Sequence, residues 1–337
     1  MKILQDVQLG KYTTFKIGGL AHFFCVVTNV EELKEAVSFA KEKNLPFFIL
    51  GGGSNILISD EGFAGLVIKM EIAGKMINGT ISNNQFIVTA GAGENWDDFV
   101  GWTLENGFNG LENLSYIPGT VGAAPVQNIG AYGAEVGQFI SSVRVFDTKE
   151  MKEVELTGRD CHFGYRNSLF KKEKGRYAIT YVNFSLKKDG KVNVEYKDLK
   201  EYFAGKNATG SEVRNAVISI RKNKLPDWTV WGTAGSFFKN PVISKEKFDE
   251  LKKLYPGLPG FPEGDQIKIP LGWVLDNVCK AKGMMNGSVG TYQKQALVIV
   301  AKSGATAKEV ISFTQDLMKQ VRDKIGVVVE AEVEWVN

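Results

Sequence analysis

The chain has 337 residues, 44% apolar and 23% charged, an ordinary mix for a soluble globular protein of about two domains; disorder and fibrous repeats are excluded. Lys and Arg number 41 against 38 Asp and Glu, a net charge of +3, too balanced to argue for nucleic acid or an anionic membrane. Three scattered cysteines (Cys25, Cys161, Cys279) and two histidines (His22, His162) leave no disulfide framework, no CxxC zinc pattern and nearly no scope for a His-rich metal site.

Near the start, Asp6 and Gln8 stand where a signal peptide needs an apolar stretch, and no apolar run approaches a membrane span. A cytoplasmic protein is expected, and nothing demands more than a monomer. A helix is expected over residues 28–44, with Thr28 and Glu31 as a capping box and Leu33, Ala36, Val37 and Ala40 at helical spacing. Pro46 precedes a short strand over 47–50, which ends in the glycine run 51–55, and a second strand resumes over 56–58. The middle is strand-rich, with runs at 85–90, 142–147 and 178–186, interrupted by a helix over 95–105. Helices follow at 212–223, 244–254 and from Thr306, where Thr306 and Glu309 form a second capping box, to about 324. A terminal strand is expected over 327–336. Strands and helices mix without βαβ alternation, which favours α+β over a doubly wound sheet. The main boundary is placed between Lys200 and Ser211.

Two glycine-rich stretches are candidates for holding a cofactor. Gly51, Gly52, Gly53, Ser54 and Asn55 end a strand with successive backbone N–H groups free to form an anion-binding nest, although the run fits neither GxGxxG nor a P-loop. The alternative is a tight connection between strands. Residues 117–133 include Gly119, Thr120, Gly122, Ala123, Gln127, Asn128, Gly130, Ala131, Tyr132 and Gly133. Such small side chains let backbone approach a large flat ligand. Together the stretches point to a ligand of dinucleotide size; a buried loop without a ligand is the alternative.

Further candidates lie elsewhere in the chain. Ser236, among small and aromatic residues, suits a proton donor, or an ordinary helix cap; Phe238 rules out the GxSxG elbow. Arg166, among aromatics, suits a carboxylate or an oxyanion, or a structural salt bridge. Arg221, Lys222 and Lys224 suit a phosphate, or a solvated helix face. Glu330, Glu332 and Glu334 alternate on the expected terminal strand, so all three share one face. Buried, they would need a cation, a substrate or a catalytic role; otherwise they line a solvated edge.

Taken in order, residues 14–19, 51–55, 117–133, 165–168, 224–226, 235–241 and the terminal segment resemble the flavoenzyme family of UDP-N-acetylenolpyruvoylglucosamine reductase, which serves bacterial peptidoglycan and cell-wall synthesis. The stretches span nearly the whole chain, and 117–133 and 235–241 are long and specific. The resemblance implies an FAD-binding fold of the vanillyl-alcohol oxidase type over residues 1–205, in lobes of about 1–68 and 69–205. A smaller α/β substrate-binding domain over 206–337 follows, its terminal strand returning a carboxylate to the active site. It implies non-covalent FAD between residues 51–55 and 119–133, in keeping with the lack of His or Cys in either loop. It implies NADPH as reductant and an enolpyruvyl UDP-sugar as substrate, with hydride passing from NADPH to FAD to substrate and UDP-N-acetylmuramate as product. Ser236 is then the proton donor, Arg166 the carboxylate and enolate partner, and Glu332 the catalytic glutamate, chosen over Glu330 by its spacing from Ser236. Arg221, Lys224, Asn240 and Gln295 become substrate contacts, and Tyr196, in the 195–199 loop, a lid residue. The chain departs from the family at Asn167, where an acid is frequent, and at Glu334, where an arginine is frequent. An FAD-dependent oxidase of the same fold is the alternative; a small-alcohol oxidase would not need the basic cluster beside Ser236.

Overall fold

A computed structural model describes residues 1–82 and 84–337. The chain separates into two compact units: Met1–Val7, Ala21–Gly52 and Ala64–Asn223 form the first, and Gln8–Leu20, Gly53–Phe63 and Lys224–Asn337 the second. The backbone passes from one to the other inside the glycine run, between Gly52 and Gly53.

The first unit holds two sheets. One has four strands in the order Ile3–Gln8, Leu20–Val27, Phe63–Met70 and Phe47–Leu50, the last two parallel with Phe47 opposite Leu66. The helix Val30–Glu42 buries Leu33, Ala36, Val37 and Ala40, the i, i+3, i+4, i+7 stripe of an amphipathic helix. Its cap differs from expectation by one residue. Asn29, not Thr28, is the N-cap and accepts from Glu32 N at 2.8 Å, while Glu32, not Glu31, reaches back to Thr28 N at 2.8 Å. Thr28 and Asn29 are both good caps, and the start of the burial stripe decides between them.

The other sheet is antiparallel, in the order Lys152–Thr157, Ile140–Asp147, Tyr177–Lys188, Gln85–Gly91 and Lys75–Ser82, with Phe108–Asn109 also paired to Tyr177–Lys188. Ala178, Thr180, Val182, Phe184 and Leu186 point to one buried face at period two. Each large apolar side chain there contributes about 1.5–3 kcal/mol by leaving water. The helix Trp96–Glu105 covers this core with Trp96, Phe99 and Val100. A smaller cluster of Leu199, Val213, Ala216 and Val217 packs the short helix Lys197–Phe203 on the helix Gly210–Lys224.

The second unit is built on the strands Met285–Asn286, Val289–Tyr292 and Gln295–Ala301. The helix Ala307–Ile325 packs on the same core through Val310, Phe313, Leu317, Val321 and Ile325, and its Thr306–Glu309 capping box is present with Glu309 N to Thr306 Oγ1 at 3.2 Å. The strand Ile56–Ile58 pairs in parallel with Glu334–Val336, Ile56 opposite Glu334. Among the described residues, no helix is long and apolar enough to cross a membrane, and no group of His, Cys, Asp and Glu is placed to hold a metal ion.

Candidate active site

In the first unit the two glycine-rich stretches meet. A Cβ on Gly51 would lie 2.8 Å from Thr120 Oγ1, and one on Gly52 only 2.6 Å from Gly119 Cα. On its other side the 119–122 segment is zipped to residues 92–96: Trp96 N bonds Gly119 O at 3.1 Å, Val121 N bonds Glu94 O at 2.9 Å and Gly122 N bonds Ala92 O at 2.9 Å. A Cβ on Gly122 would lie 2.5 Å from Ala92 Cβ, so glycine is required for that closeness. Ala123 closes the turn by donating its N–H to Thr120 O at 3.0 Å. Among the described residues Thr120 Oγ1 is buried without a hydrogen-bond partner. A buried hydroxyl left so is costly unless a ligand takes it. The closely approaching glycines and this orphaned hydroxyl fit a bound FAD.

Residues 127–133 continue into scaffold work. Gln127 is half-buried. Asn128 is buried, and its Nδ2 donates to Glu135 Oε2 at 2.8 Å and to Gly164 O at 3.1 Å, while its Oδ1 accepts from Gly137 N at 2.8 Å. Gly130–Ala131 pairs with Ala134–Glu135 across a two-residue turn, Tyr132 and Gly133, with φ of +48° and +80°. Positive φ at both positions is what a type I′ hairpin demands.

Asn128 thereby fixes the turn that carries Arg166. Gly164 and Asn167 exchange backbone bonds of 3.0 and 3.1 Å, Arg166 has φ of +51°, and its Nη2 donates to Gly130 O at 3.1 Å. Arg221 emerges from the helix Gly210–Lys224 and donates Nε to Tyr116 O at 3.0 Å. Burial lowers the Arg221 pKa; Tyr132, Asp97 and Tyr116 raise it, and nearby Arg166 lowers it. The Tyr132 hydroxyl is pushed up to about 12, chiefly by burial, against the pull of Arg221, to which it is hydrogen-bonded. Two nearby guanidiniums are chemically suited to seat an anion. The exposed Tyr196 ring stacks edge-on to Tyr132 at 5.4 Å and 78°. Sequence reasoning missed Asn113, whose Nδ2 ties Tyr132 O at 2.8 Å to Asn193 O at 2.9 Å. The only signal was a polar pair, Glu112 and Asn113, between two leucines.

In the second unit Gly53 has φ of +62°, and a Cβ there would collide with the Tyr12 carbonyl oxygen. Ser54 is half-buried beside it. Asn55 Nδ2 donates to Glu332 O at 3.1 Å, and Asn55 O accepts from Glu334 N at 3.0 Å. Gly235, with φ of +74°, turns the chain into an extended segment in which Ser236 lies opposite Val298 and Phe237 N bonds Leu297 O at 2.9 Å. Ser236 is thus no helix cap. On its other side this segment pairs with the end of the chain: Phe238 lies opposite Ala331, Lys239 N bonds Glu330 O at 3.0 Å, and Glu332 N bonds Phe237 O at 2.8 Å.

The expected terminal strand over 327–336 is corrected here. Regular strand covers only Glu334–Val336. Phe237 O accepts from both Glu332 N and Val333 N, at 2.8 and 3.5 Å, which bulges the chain where it changes partner. The three carboxylates therefore do not share one face. Glu330 is exposed and pairs with Lys239 at 2.7 Å, Glu334 is half-buried, and Glu332 is 8% exposed. Asn240 Oδ1 accepts from Leu271 N at 2.9 Å, and a Cβ on Gly272 would lie 2.8 Å from Gln295 Oε1, so Asn240 and Gln295 converge at the start of the helix Leu271–Asn277. Lys224, exposed, ends the helix Gly210–Lys224.

Residues 21–153 match the profile of the FAD binding domain, which defines an FAD-binding oxidoreductase of α+β fold. Residues 226–336 match the C-terminal domain of UDP-N-acetylenolpyruvoylglucosamine reductase. The reductase of that name from Neisseria gonorrhoeae is 43% identical over 97% of this chain and 95% of its own, and that from Bdellovibrio bacteriovorus 42% identical over 99% and 100%. The crystal structure of UDP-N-acetylenolpyruvylglucosamine reductase from Thermus caldophilus matches all of both chains with a TM-score of 0.68 at 25% identity. This chain belongs to the UDP-N-acetylenolpyruvoylglucosamine reductase family.

Proposed function

We propose that the protein reduces the enolpyruvyl ether of a UDP-sugar to the lactyl ether, giving UDP-N-acetylmuramate for peptidoglycan synthesis in the cytoplasm, with NADPH as reductant. FAD, held by Gly51, Gly52 and residues 119–123, would supply the hydride-transfer chemistry that links NADPH to the enolpyruvyl substrate. The protein's own residues handle charge and protons. Arg166 holds the substrate carboxylate, where charge collects once the methylene carbon becomes a methyl group. Ser236 Oγ then delivers a proton to the neighbouring carbon. Glu332 is the second acid–base group. Arg221 and Lys224 neutralise the diphosphate, Tyr196 closes over it, and Asn240 and Gln295 orient the remainder of the substrate.

The observation that supports this reading most is the backbone pairing of the Ser236 segment with the Glu332 segment, with Phe237 O accepting directly from Glu332 N. Ser236→Ala tests it by stopped-flow absorbance. Reduction of the bound flavin by NADPH should keep its wild-type rate. Anaerobic reoxidation by the enolpyruvyl substrate should slow about a hundredfold or more, the usual share of a positioned proton donor. Fast reoxidation in the variant would remove Ser236 from that role. Prompt reoxidation of the wild type by oxygen, with none by the enolpyruvyl substrate, would replace the reductase with an oxidase.

A further inference from the structure

Asp97 has no part in the chemistry just proposed, yet it anchors a network that ends on Arg221. It lies in the first turn of the helix Trp96–Glu105. Arg214 grips it with a fork of two bonds, Nη1 to Oδ1 at 2.6 Å and Nη2 to Oδ2 at 3.0 Å. The guanidinium lies over Gly101, where a Cβ would be in ordinary contact with Arg214 Nη2 at 3.4 Å. Asp97 Oδ1 also accepts the backbone N–H of Tyr116 at 2.5 Å. Tyr116 has φ of +59°, in the left-handed region that a residue with a side chain disfavours. It persists only where its surroundings hold it. Its carbonyl, on the next peptide, is the acceptor for Arg221 Nε at 3.0 Å. Arg214 and Arg221 are seven residues apart on one helix and share a face.

The path therefore runs from an ion pair, through one strained residue, to a guanidinium. The Tyr132 hydroxyl and the Asp97 carboxylate also attract the buried Arg221 guanidinium, more strongly than Arg166 repels it. Without Asp97 the Tyr116 amide loses its acceptor, the left-handed backbone loses its support, and the carbonyl that aims Arg221 is released. We infer that Asp97 and Arg214 are positioning residues that hold Arg221 for the substrate's diphosphate. The inference rests on Arg221 being a substrate contact, as proposed above.

The test is a double-mutant cycle on the FAD-loaded enzyme, with uridine diphosphate as the calorimetric probe alongside KM and kcat. Asp97→Ala should raise the Kd for uridine diphosphate and the KM about tenfold, the scale of one lost charge-assisted bond, with kcat changed less than about threefold. Flavin content should be unchanged. Asp97→Asn, which keeps an oxygen for Tyr116 N and loses the charge, should fall between. In an Arg221→Ala background Asp97→Ala should add nothing further. Should Asp97→Ala not fold, Asp97→Asn and Arg214→Gln complete the same cycle. If Arg221→Ala weakens the probe and the Asp97 change adds independently, or Asp97 variants bind it normally, the positioning role is overturned alone. If Arg221→Ala itself leaves Kd and KM unchanged, the substrate role of Arg221 falls, and this inference with it.

Discussion

Glu330 and Glu332 are the same residue type two positions apart, yet the fold treats them oppositely. Glu330 is largely in water and pairs with Lys239, an exposed contact worth about 0–1 kcal/mol. Glu332 is buried, and its backbone is held at both ends, N–H to Phe237 O and carbonyl to Asn55 Nδ2. Glu332→Gln should lower kcat about a hundredfold or more, whereas Glu330→Gln should change it less than about twofold. Steady-state assays of both variants decide, and the reverse order would mean that Glu330 carries the chemistry. At this scale the residue types were readable, because small side chains beside polar ones in two long runs have few uses. Their partners were not. That Asn128 spends its amide on Glu135, Gly137 and Gly164 depends on a left-handed turn at Arg166 that the order of residues does not disclose. Period two also misplaced the three glutamates, since a bulge cannot be seen in an alternating pattern.

Elements with strong local signals are the ones the sequence predicts well. The capping box at Thr306 and the alternation in Tyr177–Lys188 each combine a start signal or a period with a buried stripe. The strands Leu20–Val27 and Gln295–Ala301 went unread, because nearly continuous apolar runs carry no period. The glycine runs lie between these cases. Their composition shows that something must come close, but not what, and at Gly52 the close neighbour is Gly119. Gly52→Ala should therefore force the two runs apart. Overpacking of this kind costs about 1–3 kcal/mol, so affinity for FAD should fall about tenfold or more while far-UV circular dichroism stays the same. Fluorescence titration of the apoprotein with FAD measures this; unaltered affinity would mean that the 51–52 and 119–122 contact does not shape the cofactor site.

For the molecule as a whole, burial sets the chemistry of the thiols. Cys25 and Cys161 lie in the core of the first unit, and burial pushes both thiols from 9.0 up to about 12; at Cys25 the carboxylate of Glu32 adds to this and the N-terminal ammonium opposes it. A thiol whose pKa is raised by folding stabilises the fold fully below about 9, and that contribution is lost as pH rises toward about 12. Native protein should resist iodoacetamide at pH about 8 and react at both sites once unfolded, and the denaturation midpoint should decline from pH about 9 upward. Rapid native labelling at either site, read by mass spectrometry, would show that its burial is not maintained. The pairing of Ile56–Ile58 with Glu334–Val336 adds something of a different kind. Asn55 and Glu332 are 277 positions apart, and such distant contacts form late. On the ribosome the sheets of the first unit can assemble while synthesis continues, but the segment bearing Glu332 has no settled place until residue 336 has emerged. A nascent chain stopped short of residue 334 would leave Ile56–Ile58 without that partner, an open edge for aggregation.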